Sequence, residues 1–78
     1  MKAIVTEKAV LAIEKDNTLI FEDTKNKNKE EVKNEIEKIF NVKVERVRSR
    51  IKDNKKYFFV KLKKEFVAMD IASKLGLI

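Results

Sequence analysis

Apolar residues recur at helical spacing in the first part of the chain, within the stretch "VTEKAVLAIEK". The apolar stripe of this stretch is formed by Val5, Ala9, Val10, Leu11, Ala12 and Ile13. Thr6 is the predicted N-cap, and Val5 before it is half of a hydrophobic staple. Asp16 and Asn17 then supply turn chemistry before "TLIFED", whose β-branched and aromatic residues predict a short strand.

The same spacing predicts two further helices. In "KEEVKNEIEKIF" apolar residues fall at i, i+4, i+7 and i+8, and Asn28 is the predicted N-cap, three residues before Glu31. These apolar positions are Val32, Ile36, Ile39 and Phe40. The stretch "FVAMDIASKLGLI" predicts the third helix, and Gly76 stands where the left-handed residue after a helix belongs. Its apolar positions are Val67, Ala68, Ile71, Ala72 and Leu75.

Between these two helices the period of the apolar residues changes to two, which is typical of strands. After a slip near Glu45 and Arg46, which indicates a bulge, the chain continues in alternation. One face then carries Val47, Ser49 and Ile51, and the other carries Arg48, Arg50 and Lys52. The run "YFFVKLK" sets Phe58, Val60 and Leu62 against Tyr57, Phe59, Lys61 and Lys63. Together the two runs predict a β-hairpin with "KDNKK" as its connection.

These elements predict an α+β fold in which an antiparallel sheet of three to four strands packs with about three helices. A strand before the first helix is predicted to be short or absent. The length of 78 residues is typical of one compact domain, so we expect residues 1–78 to form a single domain.

Basic residues concentrate in the hairpin. The net charge of the chain is +6, whereas residues 43–64 alone hold ten basic and two acidic residues, including all three arginines. The guanidinium fork suits phosphate oxygens, and same-face residues of a strand lie roughly 7 Å apart, close to phosphate spacing. The pattern therefore favours a nucleic-acid surface. The alternative is a solvated coat that protects the sheet from aggregation.

Candidate RNA-binding residues come from the polar loop before the second helix and from the hairpin. They are Lys25, Lys27, Lys29, Arg46, Arg48, Arg50, Lys52, Lys55, Lys56, Tyr57, Lys61 and Lys63. Tyr57 and Phe59 would stack on unpaired bases if their face of the hairpin is open, since aromatic rings do so in many RNA complexes. Alternatively, a helix covers them.

Several function classes are disfavoured by composition. Cysteine and histidine are absent, which removes disulfides, thiolate metal sites and the commonest general base, so we expect neither an enzyme, nor a metal site, nor a cofactor. The spacing of the carboxylates in the second helix is typical of a helix face exposed to solvent. No apolar run reaches about 18 residues and the first residues lack a secretory layout, so we expect a cytoplasmic protein without a membrane span.

Five segments carry a family resemblance: "VTEKA", "IEKDNTLIFED", "IEKIFNVKVERV", "KKYFFVKLKKEF" and "DIASKLGLI". In this order and at these separations they closely resemble the archaeal and eukaryotic type of large-subunit ribosomal protein twenty-three. The resemblance covers nearly the whole chain. It implies an antiparallel sheet of about four strands backed by helices. It also implies binding to large-subunit rRNA beside the nascent-chain exit tunnel, among neighbouring ribosomal proteins.

The resemblance also implies a docking role for one acidic residue. Thr6, Glu7 and Lys8 match a family motif whose acid contributes to factor docking in bacterial relatives. Glu7 is thereby a candidate docking residue for the signal recognition particle or another nascent-chain factor. Alternatively, Glu7 serves only the helix dipole, which favours an acid at a helix start.

Three departures from the family pattern concern the hairpin and the last helix. The chain has Arg48 and Ser49 where relatives tend to have Asn-Thr, "KDNKK" where they have a turn with Pro and Gly, and Val67 at a cap position often held by Ser. The last of these predicts a weakly capped third helix.

The resemblance predicts a cytoplasmic, structural component of the ribosome. A free-standing RNA-binding regulatory module is the alternative.

Overall fold

The computed structural model describes residues 2–4, 6–23 and 27–76, in the order strand, helix, strand, helix, hairpin, helix. The elements are β1 (Lys2–Ala3), α1 (Glu7–Asp16), β2 (Thr18–Asp23), α2 (Lys29–Phe40), β3 (Val44–Lys52), β4 (Lys55–Leu62) and α3 (Ala68–Lys74).

The strands form one antiparallel sheet in the order β1-β2-β4-β3. The strand before the first helix is present but has only two residues, which pair with the far end of β2. The predicted fold class, an α+β fold with a sheet of three to four strands and about three helices, is confirmed.

All three helices pack on one face of the sheet. Leu19 and Phe21 of β2 project to the same side as Phe58, Val60 and Leu62 of β4, and all five are buried. They form one core cluster with residues from every helix, namely Ile13, Val32, Ile36, Ala68, Ile71 and Ala72. The predicted alternation of "YFFVKLK" is therefore confirmed. None of the helices in the described part of the chain packs on the opposite face of the sheet.

The predicted helix caps are present. The Thr6 hydroxyl accepts a hydrogen bond from the Ala9 N–H at 3.1 Å, and Asn28 Oδ1 accepts one from the Glu31 N–H at 2.9 Å. Gly76 has a φ of 75°, as expected for the residue that ends α3. The predicted staple residue Val5 lies outside the described residues.

Several apolar residues of the predicted helical stripes and strand faces are exposed. Within α2 the buried stripe follows i, i+4 spacing through Val32 and Ile36, and Ile39 lies beside it with 60% of its surface exposed. Ile51 is 65% exposed because it lies near the hairpin turn, opposite Lys56. Leu11, Val67 and Leu75 are also exposed.

The hairpin connection is shorter than predicted. Lys52 pairs with Lys55, so the turn consists only of Asp53 and Asn54, with φ of 53° and 63°. Two consecutive positive φ values are the signature of a type I′ turn, which matches the twist of the flanking strands. Lys52, Lys55 and Lys56 consequently belong to strands. The predicted bulge is confirmed by a register shift between Val44 and Arg46.

Asn17 joins three parts of the fold. Its backbone is left-handed, with φ of 52°, and ends α1. Its side-chain Oδ1 accepts a hydrogen bond from the Ala68 N–H at 2.6 Å, while Nδ2 donates to the carbonyls of Phe66 at 2.8 Å and Leu62 at 3.3 Å. Val67 gives α3 no side-chain cap, as predicted, but Asn17 bonds an N–H of its first turn from across the fold.

Candidate nucleic-acid interface

The face of the sheet opposite the helices, hereafter the open face, is built from alternate residues of β2, β3 and β4. Its members are Thr18, Ile20, Glu22, Arg46, Arg48, Arg50, Lys52, Lys55, Tyr57, Phe59 and Lys61. Most of the predicted hairpin residues are thus brought together on one surface.

Strand pairing arranges the open face in cross-strand rows. The rows are Thr18–Lys61–Arg46, Ile20–Phe59–Arg48 and Glu22–Tyr57–Arg50. Neighbouring residues in a row lie about 5 Å apart, and successive rows are roughly 7 Å apart. The arginines therefore form a column on β3, and the two aromatic rings form a parallel column on β4.

The arginine column follows an edge of the sheet, since β3 is the last strand in the order. Arg46, Arg48 and Arg50 are exposed, and none forms an ion pair with a described residue. Like charges also face one another across the hairpin, because Arg46 pairs with Lys61. Such a column presents an uncompensated positive field to solvent.

Two acidic residues form ion pairs with lysines of β4. Lys61 Nζ lies 3.7 Å from Glu45 Oε2, and Lys55 Nζ lies 3.3 Å from Glu22 Oε1. Exposed pairs of this kind contribute little to stability and exchange easily with solvent or a competing anion. These two lysines are therefore partly neutralised in the free protein.

Both aromatic rings belong to the open face. Tyr57 and Phe59 are partly exposed, in alternation with the fully buried Phe58. No described helix covers them, so the alternative that a helix covers these rings is wrong, and stacking on bases stays a prediction. Ile20 flanks Phe59 on the other side and is also partly exposed.

Two predicted residues lie away from the open face. Lys27 Nζ bonds Glu35 Oε2 at 2.6 Å and lies 3.4 Å from Asp23 Oδ2. The hydrogen bond to Glu35, assisted by Asp23, raises the pKa of Lys27 above its ordinary value of 10.5, so its charge is already paired. Lys56 Nζ donates to the Lys27 carbonyl at 2.7 Å and lies over the Phe58 ring, 5.2 Å from its centroid.

The remaining predicted lysines are spread around the hairpin and α2. Lys29 is the first residue of α2, and Lys63 follows β4; both are exposed. Lys25 lies outside the described residues.

Three residues of the open face were missed by the sequence reasoning. Thr18, Ile20 and Glu22 alternate with the buried Leu19 and Phe21, so the period-two pattern of "TLIFED" already separates the two faces. The pattern does not reveal that β2 pairs with β4, and only this pairing places them beside the aromatic column.

Glu7 lies on the helix side of the sheet. It is exposed at the first residue of α1, and with Thr6, Val10 and Leu11 it lines a shallow, mainly apolar hollow. Because α1 packs against the face opposite the arginines, Glu7 and the open face belong to different sides of the molecule.

Neither a metal site nor a membrane span is found in the described part of the chain. No group of three or more potential ligand residues there is placed to hold a metal ion. No described helix has the length and apolar character needed to cross a bilayer.

Comparison with known proteins gives the family. Residues 1–74 match the family model described as ribosomal protein L23. The chain belongs to this L23 family. A protein named large ribosomal subunit protein uL23 from Picrophilus torridus is 42% identical over 74 residues, covering 95% of this chain and 90% of its own. One of the same name from Pyrobaculum aerophilum is 40% identical over 78 residues, covering 99% and 96%.

Membership of the L23 family confirms the predicted resemblance, including its archaeal character. The chain is accordingly a ribosomal protein with a structural and non-enzymatic role, which is cytoplasmic and associated with the ribosome. The chain covers nine-tenths or more of both relatives, so the family assignment applies to the whole described fold.

Proposed function

We propose that this L23-family protein binds large-subunit rRNA through its open face, near the exit of the nascent-chain tunnel, beside neighbouring ribosomal proteins. The observation that carries the proposal is the arginine column of β3, which is exposed and without an ion pair to any described residue. Support also comes from the two relatives, which are named as large-subunit proteins.

Phosphate contacts explain why the basic residues are placed on strands. A column of arginines roughly 7 Å apart meets successive phosphates without bending either partner. Lys52 and the partly neutralised Lys55 and Lys61 extend the same surface. Lys29 and Lys63 add exposed positive charge at the start of α2 and after β4. Lys56 bonds the Lys27 carbonyl just before α2, and Lys25 is retained as a candidate from the sequence alone.

The opposite side of the molecule suits a second partner. Glu7 is exposed beside an apolar hollow on α1, which combines a charge and a hydrophobic contact. A protein docked there would not compete with RNA on the open face. We therefore assign Glu7 to the docking of the signal recognition particle or another nascent-chain factor, in addition to its favourable position at the helix start.

The test is a binding titration of the purified chain with large-subunit rRNA fragments over a salt series. The comparison variant carries Arg46→Ala, Arg48→Ala and Arg50→Ala. One fragment is expected to bind far better than the others, and the variant should bind it more weakly. Its plot of log affinity against log salt should be shallower by about two to three units, because each phosphate contact contributes roughly 0.9. Equal, weak binding of all fragments and an indistinguishable variant would overturn the proposal.

Glu7→Gln is the matched control in the same experiment, since it lies away from the open face. It should bind rRNA as the unaltered chain does, while large subunits reconstituted with it should bind less signal recognition particle. Unchanged factor binding would remove the docking role. If the unaltered chain binds RNA but washes off large subunits at moderate salt, a free-standing RNA-binding module is the better description.

A further inference from the structure

We propose that the open face holds an unpaired base of folded RNA against the rings of Tyr57 and Phe59, while the β3 arginines hold the adjoining phosphates. This inference rests on the proposed RNA binding and specifies which part of an RNA the surface recognises.

These two rings are not part of the hydrophobic core. Phe21 and Phe58 are buried within the core cluster, and Phe40 and Phe66 pack against it. Tyr57 and Phe59 belong to neither group and remain partly exposed on the other side of the sheet. With Ile20 they form an apolar strip beside the arginine column of β3.

The rings of β4 are in register with the arginines of β3. Phe59 pairs with Arg48 and Tyr57 pairs with Arg50, so the residue opposite each ring in the next strand is an arginine, about 5 Å away along the backbone. A base stacked on either ring therefore has a phosphate-binding group on one defined side, towards the edge of the sheet. Alternating cations and rings in this way is the arrangement by which proteins hold single-stranded nucleic acid.

Glu22 is the acidic end of the Tyr57 row. A carboxylate repels phosphate, so its position marks the side of the ring away from the RNA backbone. Carboxylates accept hydrogen bonds from base amino groups, as in contacts to cytosine N4. Lys55 Nζ lies 3.3 Å from Glu22 Oε1, and in the proposed complex the Glu22 carboxylate accepts a hydrogen bond from the edge of a base.

These features favour an unpaired base over a regular duplex. In A-form RNA the faces of stacked bases are covered by their neighbours, and a duplex would meet this sheet only through phosphates and 2′-hydroxyls. Rings on an exposed strand face make their best contact with a base that has left its stack. A protein partner fits less well, because the surface carries three arginines that form no ion pair with a described residue and that match phosphate charge.

Tyrosine fluorescence offers a direct test, because the chain has one tyrosine and no tryptophan. The purified chain is titrated at low salt with single-stranded oligocytidine, with an RNA duplex of the same length, and with inorganic polyphosphate. Emission from Tyr57 should be quenched by the single strand and much less by polyphosphate, which carries the charge but no base. Equal responses to the single strand, the duplex and polyphosphate would overturn the stacking role.

Ring substitutions provide the second readout. Phe59→Leu should weaken single-strand binding about tenfold, in line with the loss of one stacked base, and should leave polyphosphate binding unchanged. Tyr57→Leu should behave alike, whereas Tyr57→Phe keeps the ring and should keep most of the affinity. Circular dichroism checks that each variant is folded.

The outcomes separate the two proposals. If the leucine variants bind the single strand as tightly as the unaltered chain, stacking is wrong while RNA binding through the arginines stands. If the unaltered chain binds neither RNA nor polyphosphate, the proposed RNA binding fails and the stacking inference fails with it.

Discussion

Asn17 shows how one polar residue can hold a small fold together. Its side chain bonds the Ala68 N–H and the carbonyls of Phe66 and Leu62, which lie 45 to 51 residues further along the chain. Ala68 is fully buried, so its N–H would be costly to leave without a partner. With its left-handed backbone, Asn17 fixes the end of α1 and the start of α3 at the same point.

Asn17→Gly should therefore destabilise the protein by about 2 kcal/mol and lower Tm by about 10 °C, because several hydrogen bonds are lost while the left-handed backbone is kept. Asn41→Gly is the matched control: Asn41 also ends a helix with a left-handed backbone, but its side chain is exposed. It should shift stability by no more than about 0.5 kcal/mol. Equal Tm values for the two variants, measured by thermal unfolding, would refute the role of the Asn17 side chain.

At the scale of elements, the third helix begins without a cap from its own N-cap residue. Val67 has an extended backbone and an exposed side chain, so this position is suited to a capping residue. Asn17 accepts the hydrogen bond of the Ala68 N–H. The Val67 side chain offers no acceptor to the other N–H groups in the first turn of α3. The short α3 consequently depends on its packing through Ala68, Ile71 and Ala72.

Val67→Ser should stabilise the protein by about 0.5 to 1 kcal/mol, because the hydroxyl can accept a hydrogen bond from the first turn of α3 and little core packing is lost. Val67→Ala removes the same side chain without adding an acceptor and should bring no such gain. The measurement is urea unfolding of the three proteins. A midpoint for the serine variant that is no higher than that of the alanine variant would contradict the expectation.

The elements also show what sequence reasoning can reach. Local rules predicted the caps at Thr6 and Asn28, the bulge and the alternation of β4, because each depends on a few adjacent residues. The patterns did not reveal that Ile39 and Ile51 are exposed, since burial depends on how far neighbouring elements extend. The placement of β2 beside β4 and the bonds of Asn17 arise from tertiary packing, which periodicity does not encode.

At the scale of the whole molecule, the sheet separates two different surfaces. One side carries three helices and the core, and the other carries a column of arginines beside a column of rings. Arg46 faces Lys61 and Lys52 faces Lys55 across the hairpin, so the free protein contains repulsion that a bound polyanion would relieve. With only a small core available at this size, such repulsion is a noticeable share of the stability.

Inorganic polyphosphate or rRNA should therefore raise Tm at low salt. A ligand at about 100 times its dissociation constant adds about 2.7 kcal/mol, which corresponds to a shift of about 10 °C or more. The shift should shrink as salt is added, and it should be smaller for the variant in which Arg46, Arg48 and Arg50 are alanine. Polyethylene glycol, an uncharged polymer, is the control. A Tm that does not move with polyphosphate would mean that the basic hairpin is a solvated coat, because binding to the folded state alone must stabilise it.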